Sequence, residues 1–224
     1  MSIIGMYTHI GPRVLEVMVR DPDLTQSVLD YDGAVSTGED ISLPPEIRSV
    51  IAQLPEHLRE EMLAQMKASL ASEGMGEFFG EVAKKSADAL ERAGVDPKEI
   101  GEALSIEKAW HGLHFVLAGT KWEATAPPGN VVAGGCEIGE DLGYGPARYL
   151  TVDEVRDAST ALAAIDDEEF RKRYNREALA EAEVYPGGWD DPSELDWLLD
   201  AVRDVRAYFK KAADLGHAMM IYMT

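Results

Sequence analysis

His111 and His114 stand one helical turn apart in KAWHGLHFVLAG, residues Lys108 to Gly119, a short apolar stretch that also holds Trp110. Side chains at i and i+3 share a helix face, and a neutral imidazole offers a lone pair that can bind a divalent metal or pass a proton. The pair is therefore a candidate metal site, and His114 a candidate general acid or base. The competing reading is structural. Ile106, Trp110, Leu113 and Leu117 recur at helical spacing, and a histidine on such a face commonly gives its ring proton to a backbone carbonyl. His111, four residues after Glu107, is expected to be partly exposed. Two histidines without a third ligand nearby make a weak metal signal.

A second group of residues lies in GGCEIGEDLGYGPARY, Gly134 to Tyr149. Its glycines permit close backbone approach and positive φ angles. Folded against the histidines, this loop would offer Glu137 or Asp141 as a carboxylate partner for His114, with Glu140 as a further acid and Tyr144 as a hydroxyl donor. Arg148 would grip a ligand carboxylate or phosphate, or else anchor the acidic loop. Cys136 would need a histidine brought beside it to become a nucleophile. Trp110, and Trp189 in YPGGWDD, complete the candidate ligand contacts; Tyr185 and Trp189 otherwise pack as lids over the last helix. No phosphate-cradling loop, nucleophile elbow or dinucleotide fingerprint occurs, so no motif implies a cofactor.

Several elements must position these residues. IIGMYTHI reads as a strand, and Pro12 suits the first turn of a helix in PRVLEVMVR. DLTQSVLDY reads as a second short helix. From about Leu43 to Leu104 the composition turns to Ala, Glu, Met and Leu, which suggests a helical insertion or subdomain over 43–104 within a single domain spanning 1–224. Leu58, Met62, Met66 and Leu70 form one stripe there, and Phe79, Val82, Ala83 and Leu90 another, closed by Gly94. Further on, VVA and ARYL read as brief strands around an irregular glycine-rich segment. TVDE, Thr151 to Glu154, is a capping box opening a helix. Short helices follow in DEEFRKRY and REALAEAE. The last helix carries the stripe Leu195, Leu198, Leu199, Val202, Val205, Phe209, Ala212, with Lys210 and Lys211 in its final turn and Gly216 ending it. HAMMIYM, almost continuously apolar, reads as a buried strand.

The 224 residues carry 41 acidic and 21 basic side chains, a formal net charge of −20. Such a balance opposes binding to nucleic-acid phosphates and to anionic membrane surfaces, and favours encounter with a basic partner. The single Cys136 excludes an intramolecular disulfide and a thiolate zinc cluster within one chain. No basic leader with an apolar core opens the sequence, and MMIYM is far too short to span a bilayer. A reducing cytoplasm is the expected compartment.

Taken in order, IIGMYTHIGPRVLEVMV, KAWHGLHFVLAG, GEDLGYGPARYLTVDEV, VYPGGWDDPSELDWLL and the terminal strand resemble the YfbM-like, or DUF1877, family of bacterial proteins of unknown function. The resemblance covers both ends and most of the second half. It implies an αβ architecture and brings no activity, cofactor or catalytic residue. In the family pattern Lys108, Trp110, Leu113, His114 and Phe115 look central, and His111 less typical.

The expected fold is α+β, or layered α/β: helix-dominated, with a small mixed sheet holding the N- and C-terminal strands. The leading functional expectation is a noncatalytic cytoplasmic binding protein whose acidic surface meets a basic protein partner, such as a toxin or nuclease it neutralises. The rival is an enzyme or a small-ligand or metal binder, its site formed by the 108–119 helix and the 134–149 loop. A homo-oligomer joined through the helical insertion is the third.

Overall fold

The computed structural model describes residues 2–31 and 75–224. The chain divides into two compact units, Met1–Thr25 with Ala103–Thr224, and Gln26–Glu102.

The first unit is built on a five-stranded sheet. Its strands are β1 (Gly5–Ile10), β2 (Leu104–Ser105), β3 (Cys136–Asp141), β4 (Pro146–Leu150) and β5 (Ala218–Met223), in the order β2-β1-β5-β4-β3. Every pairing is antiparallel, so the sheet is not mixed as expected. The two terminal strands do share it: β1 lies along β5 from Gly5↔Met223 to Ile10↔Ala218. The central position of β5 explains its composition. A strand paired on both edges and covered on both faces has no place for polar side chains, and five of its six residues are buried. Met219 and Ile221 join the main core on one face, while the alternate residues Met220 and Tyr222 are buried outside that cluster.

The helical stretches between residues 106 and 213 supply most of the rest of that core. α1 (Pro12–Arg20) starts on Pro12, as its sequence predicts. After α2 (Leu24–Asp30) and α3 (Met75–Arg92) come α4 (Trp110–Ala118) and the single turn α5 (Asn130–Ala133). Then follow α6 (Val152–Ala163), α7 (Asp167–Arg173), α8 (Arg176–Glu181) and α9 (Ser193–Leu215). The capping box at α6 is complete: Thr151 Oγ1 accepts the Glu154 amide and Glu154 Oε2 accepts the Thr151 amide at 2.8 Å. α9 buries Leu198, Leu199, Val202, Val205, Phe209 and Ala212 against the core and packs along α6. At about 1.5–3 kcal/mol for each large apolar side chain removed from water, this stripe is a principal source of stability. Gly216 ends the helix at φ 67°, the left-handed conformation that glycine adopts without steric cost. Lys210 and Lys211 lie one turn earlier than expected, because α9 continues to Leu215; Lys210 reaches forward to Asp214 at 2.6 Å.

Two further expectations change. VVA is the helical turn α5, not a strand, held by the Gly134 amide donating to the Asn130 carbonyl at 2.9 Å. Three β-branched or small residues are too few for periodicity to decide between the two. The glycine-rich segment is an ordered hairpin, β3–β4. Gly139, at φ 78°, lies where the register shifts between Ile138 and Asp141, and Asp141 Oδ1 accepts the amides of Gly143 and Gly145 in the turn.

In the second unit, α3 closes on Gly94, with the Val95 amide returning to the Leu90 carbonyl at 2.9 Å. Asp96 then caps a short 3-10 turn, Pro97–Glu99, by accepting the Lys98 amide. Leu58, Met62, Met66 and Leu70 lie outside the described residues, as does most of the 43–104 insertion.

Candidate functional site

α4 carries the histidines, and its surroundings explain its sequence. Trp110 is buried, and its indole Nε1–H donates to the Ile3 carbonyl at 3.2 Å. Gly5 on β1 makes room for it: a side chain there would place Cβ 2.7 Å from Trp110 Cβ. Gly112 does the same for Trp189, since a Cβ at Gly112 would run into the indole and stand 3.1 Å from Leu198 Cδ2. The helix ends at Gly119, in the left-handed conformation at φ 73°. Before it, Ser105 lies in β2 and its hydroxyl accepts the Glu107 amide at 3.2 Å. Ser105 thus holds the first residue of the 3-10 turn Glu107–Ala109 that leads into α4 and does not cap α4 itself.

His111 is buried, not partly exposed. Its Nδ1 accepts the Tyr185 amide at 3.0 Å. The ring proton must then sit on Nε2, which donates to the Lys121 carbonyl at 3.1 Å. The imidazole lies parallel to Trp110, and Trp122 covers it at 4.4 Å between ring centroids. It thereby ties α4 to the segment after Gly119 and to the loop before α9. Burial, with the nearby Lys121 ammonium, holds its pKa below the ordinary histidine value, although the Lys121 carbonyl acts the other way. With both nitrogens engaged, His111 has no lone pair to give a metal.

His114 is 1% exposed. Its pKa is lowered to about 4, first by burial and then by His111, with the backbone of Gly129 partly opposing. No hydrogen bond of ordinary geometry reaches either ring nitrogen. No hydrogen bond, ion pair or ring contact among the described residues links either histidine to Glu137, Asp141 or Tyr144.

Those loop residues serve the hairpin instead. Arg148 donates to the carbonyls of Gly134 and Gly135 and pairs with Glu137 at 2.7 Å, which makes it the anchor of the acidic loop. Asp141 organises the turn, and Glu140 and Tyr144 are exposed. Cys136 is exposed and pairs across the hairpin with Tyr149. Trp189 is core, 2% exposed, with its indole N–H donating to the Val184 carbonyl at 2.8 Å. Among the described residues no three His, Cys, Asp or Glu side chains converge as metal ligands would.

Sequence reasoning missed a different histidine pair. His9 on β1 and His217 just before β5 share a hydrogen bond, Nδ1 to Nδ1, at 3.0 Å. The apposition of the terminal strands was the available signal. An open groove of about 470 Å³ runs between α1 and the start of α6, lined by Leu15, Val19, Tyr149 and Val152 with Glu16 and Arg20; none of the candidate site residues faces it.

An antiparallel sheet joining both ends of the chain, with helices that bury His111 and His114, defines an α+β protein. The model described as "Domain of unknown function (DUF1877)" matches residues 1–222, and the chain belongs to that family. It is similar to the crystal structure of a protein of unknown function, YfbM from Escherichia coli, at 15% identity over 99% of each chain and a TM-score of 0.53. That structural likeness shows a shared fold and nothing further. No curated protein matches the chain. No helix among the described residues is long and apolar enough to cross a membrane.

Proposed function

We propose that this is a noncatalytic interaction protein of the bacterial cytoplasm whose acidic surface receives a basic protein partner. The observation that carries the reading is how the chain spends its cations. Arg13, Arg20, Arg148, Arg156, Arg171, Lys172, Arg173, Arg176, Arg203, Arg206 and Lys210 are each paired with a carboxylate of this same chain. The chain as a whole carries a formal net charge of −20. Around α9 the excess is crowded. Asp190, Asp191 and Asp204 reach solvent, and the pKa values of Glu194 and Asp204 are raised, first by partial burial of each carboxyl and then by the neighbouring Asp191 and Asp200. A cationic surface docked there would relieve that repulsion and speed encounter.

The test is co-purification of the tagged full chain from its native cells, beside Asp190→Asn, Asp191→Asn, Asp204→Asn combined. Asn at 191 keeps an acceptor for the Ser193 amide that Asp191 now receives. The expected result is a basic protein retained at about 0.1 M salt, where exposed charges interact over roughly 10 Å, and lost both at 1 M salt and in the triple variant. A partner that is not basic, one indifferent to salt and substitution, or none at all overturns the reading.

A further inference from the structure

α1 turns apolar side chains in two directions. Val14, Val17 and Met18 are buried. Leu15 and Val19, four residues apart and so neighbours on the helix surface, instead line the groove of about 470 Å³ toward the start of α6. Val19 is 51% exposed. Tyr149, at the end of β4, and Val152, in the first turn of α6, add to the same apolar lining. Apolar surface left open in one continuous strip marks a place where another surface can settle.

The two rims of the strip carry opposite charge. α1 sets Arg13 and Arg20 against one carboxylate, Glu16, to which both guanidiniums bond. It is thus a cationic element in a chain whose net charge is −20. The first turns of α6 set Asp153, Glu154 and Asp157 against Arg156 alone. Arg20 and Asp153 line the groove from its two sides, and both are exposed. Arg20 pairs with Glu16 and Asp153 with Arg156, each within its own helix. Among the described residues no ion pair spans the groove to close it.

That arrangement selects the occupant. A uniformly basic partner would meet the arginines of α1, and a uniformly acidic one the carboxylates of α6. A strip with one sign on each side fits a copy of itself turned about a two-fold axis, because the axis brings the basic rim of one copy onto the acidic rim of the other. We propose that the groove between α1 and α6 is a self-complementary dimer interface of this chain. Arg20 of each copy pairs with Asp153 of the other, and Leu15, Val19, Tyr149 and Val152 of both copies meet at the centre. Two chains of net charge −20 can approach there because charges more than about 10 Å away are largely screened at 0.1 M salt, while the rim pairs attract at contact. No residue of α9 lines the groove, so the interface stands whether or not a basic partner docks at α9.

Light scattering on the full chain over a concentration series tests the interface. The unaltered protein is expected to reach twice the mass of one chain. Arg20→Glu and Asp153→Arg, each alone, set like charges together at both rims and are expected to stay monomeric. Mixed, the two variants are expected to pair one to one, because each rim contact then joins opposite charges again. A local effect on either helix would give no such rescue. Should a charge variant not fold, Val19→Ser takes its place and is expected to weaken dimerisation about tenfold, since each copy loses an apolar side chain from the centre. A monomer at every concentration, a dimer indifferent to these substitutions, or a mixture that stays monomeric overturns the interface.

Discussion

The Nδ1 atoms of His9 and His217 stand 3.0 Å apart, close enough that one must carry a proton and the other must not. The Nε2 of His9 is buried without a partner, and a bare lone pair is tolerated better inside a protein than a bare N–H. The shared proton therefore belongs to His9. Around the pair, the Tyr208 hydroxyl accepts the His9 amide at 3.1 Å, and Lys211 adds positive charge. Burial first, then His217 and Lys211, lower the His9 pKa to about 4.

His9 and His114 share that depression, which sets an acid sensitivity. A folded-state pKa near 4 against an unfolded value near 6.5 means that the unfolded chain takes up protons first as pH falls. The stability these two histidines contribute is full above pH 6.5 and is lost between 6.5 and 4. Each histidine adds a slope of up to about 1.4 kcal/mol per pH unit within that window. Urea unfolding at pH 7.0, 6.0 and 5.5 checks this, since most carboxylates remain ionised there. A flat profile would show that neither histidine is held neutral.

His111 joins three segments through two backbone hydrogen bonds. Its replacement by Phe keeps the stacking on Trp110 and Trp122 but leaves the Tyr185 amide and the Lys121 carbonyl bare. The expected loss is about 2–4 kcal/mol, the cost of two unsatisfied buried groups. Denaturant titration reads the loss, and a change under about 1 kcal/mol would mean that water satisfies both groups.

Gly112→Ala improves helix propensity by up to about 1 kcal/mol yet should destabilise by roughly 1–3 kcal/mol, because the new methyl collides with Trp189. Trp189→Phe removes the colliding ring. In the double-mutant cycle the two costs should sum to less than their parts. Simple additivity would place the strain elsewhere.

Trp122 is 58% exposed, whereas Trp110 and Trp189 are 6% and 2% exposed. Acrylamide quenching of tryptophan fluorescence should lose most of its accessible fraction in Trp122→Phe. Retention of that fraction would mean that the quencher instead reaches the half-buried Trp197, or Trp110.

Much of this fold was legible along the chain. The terminal strands, the α6 capping box, the α9 stripe and the Gly119 and Gly216 stops all rest on interactions within a few residues, or on burial patterns that composition reports. The site was less legible. His111 binds Tyr185, 74 positions away, and no periodicity on α4 distinguishes a helix face that meets solvent from one that meets a loop. The hairpin at 136–150 read as irregular because glycine is rare in strands. Here Gly139 forms a bulge and Gly143 and Gly145 the turn, positions that only the pairing reveals. Trp189 reads from the sequence as a ligand contact or as a lid over the last helix, and only the folded chain shows that it fills the space Gly112 leaves.

The pairing of β1 with β5 joins residues more than two hundred positions apart, from Gly5↔Met223 onward. Closing so long a loop costs entropy before any contact rewards it, so the rate at which this chain reaches its native state is set by the search for that register. The helices, whose hydrogen bonds are local, can assemble in advance. During that interval β1 and β4 stand with open edges where β5 will insert, and an extended apolar segment from another molecule can occupy the same place. Yield on refolding should therefore fall steeply with protein concentration, even where the finished protein is stable.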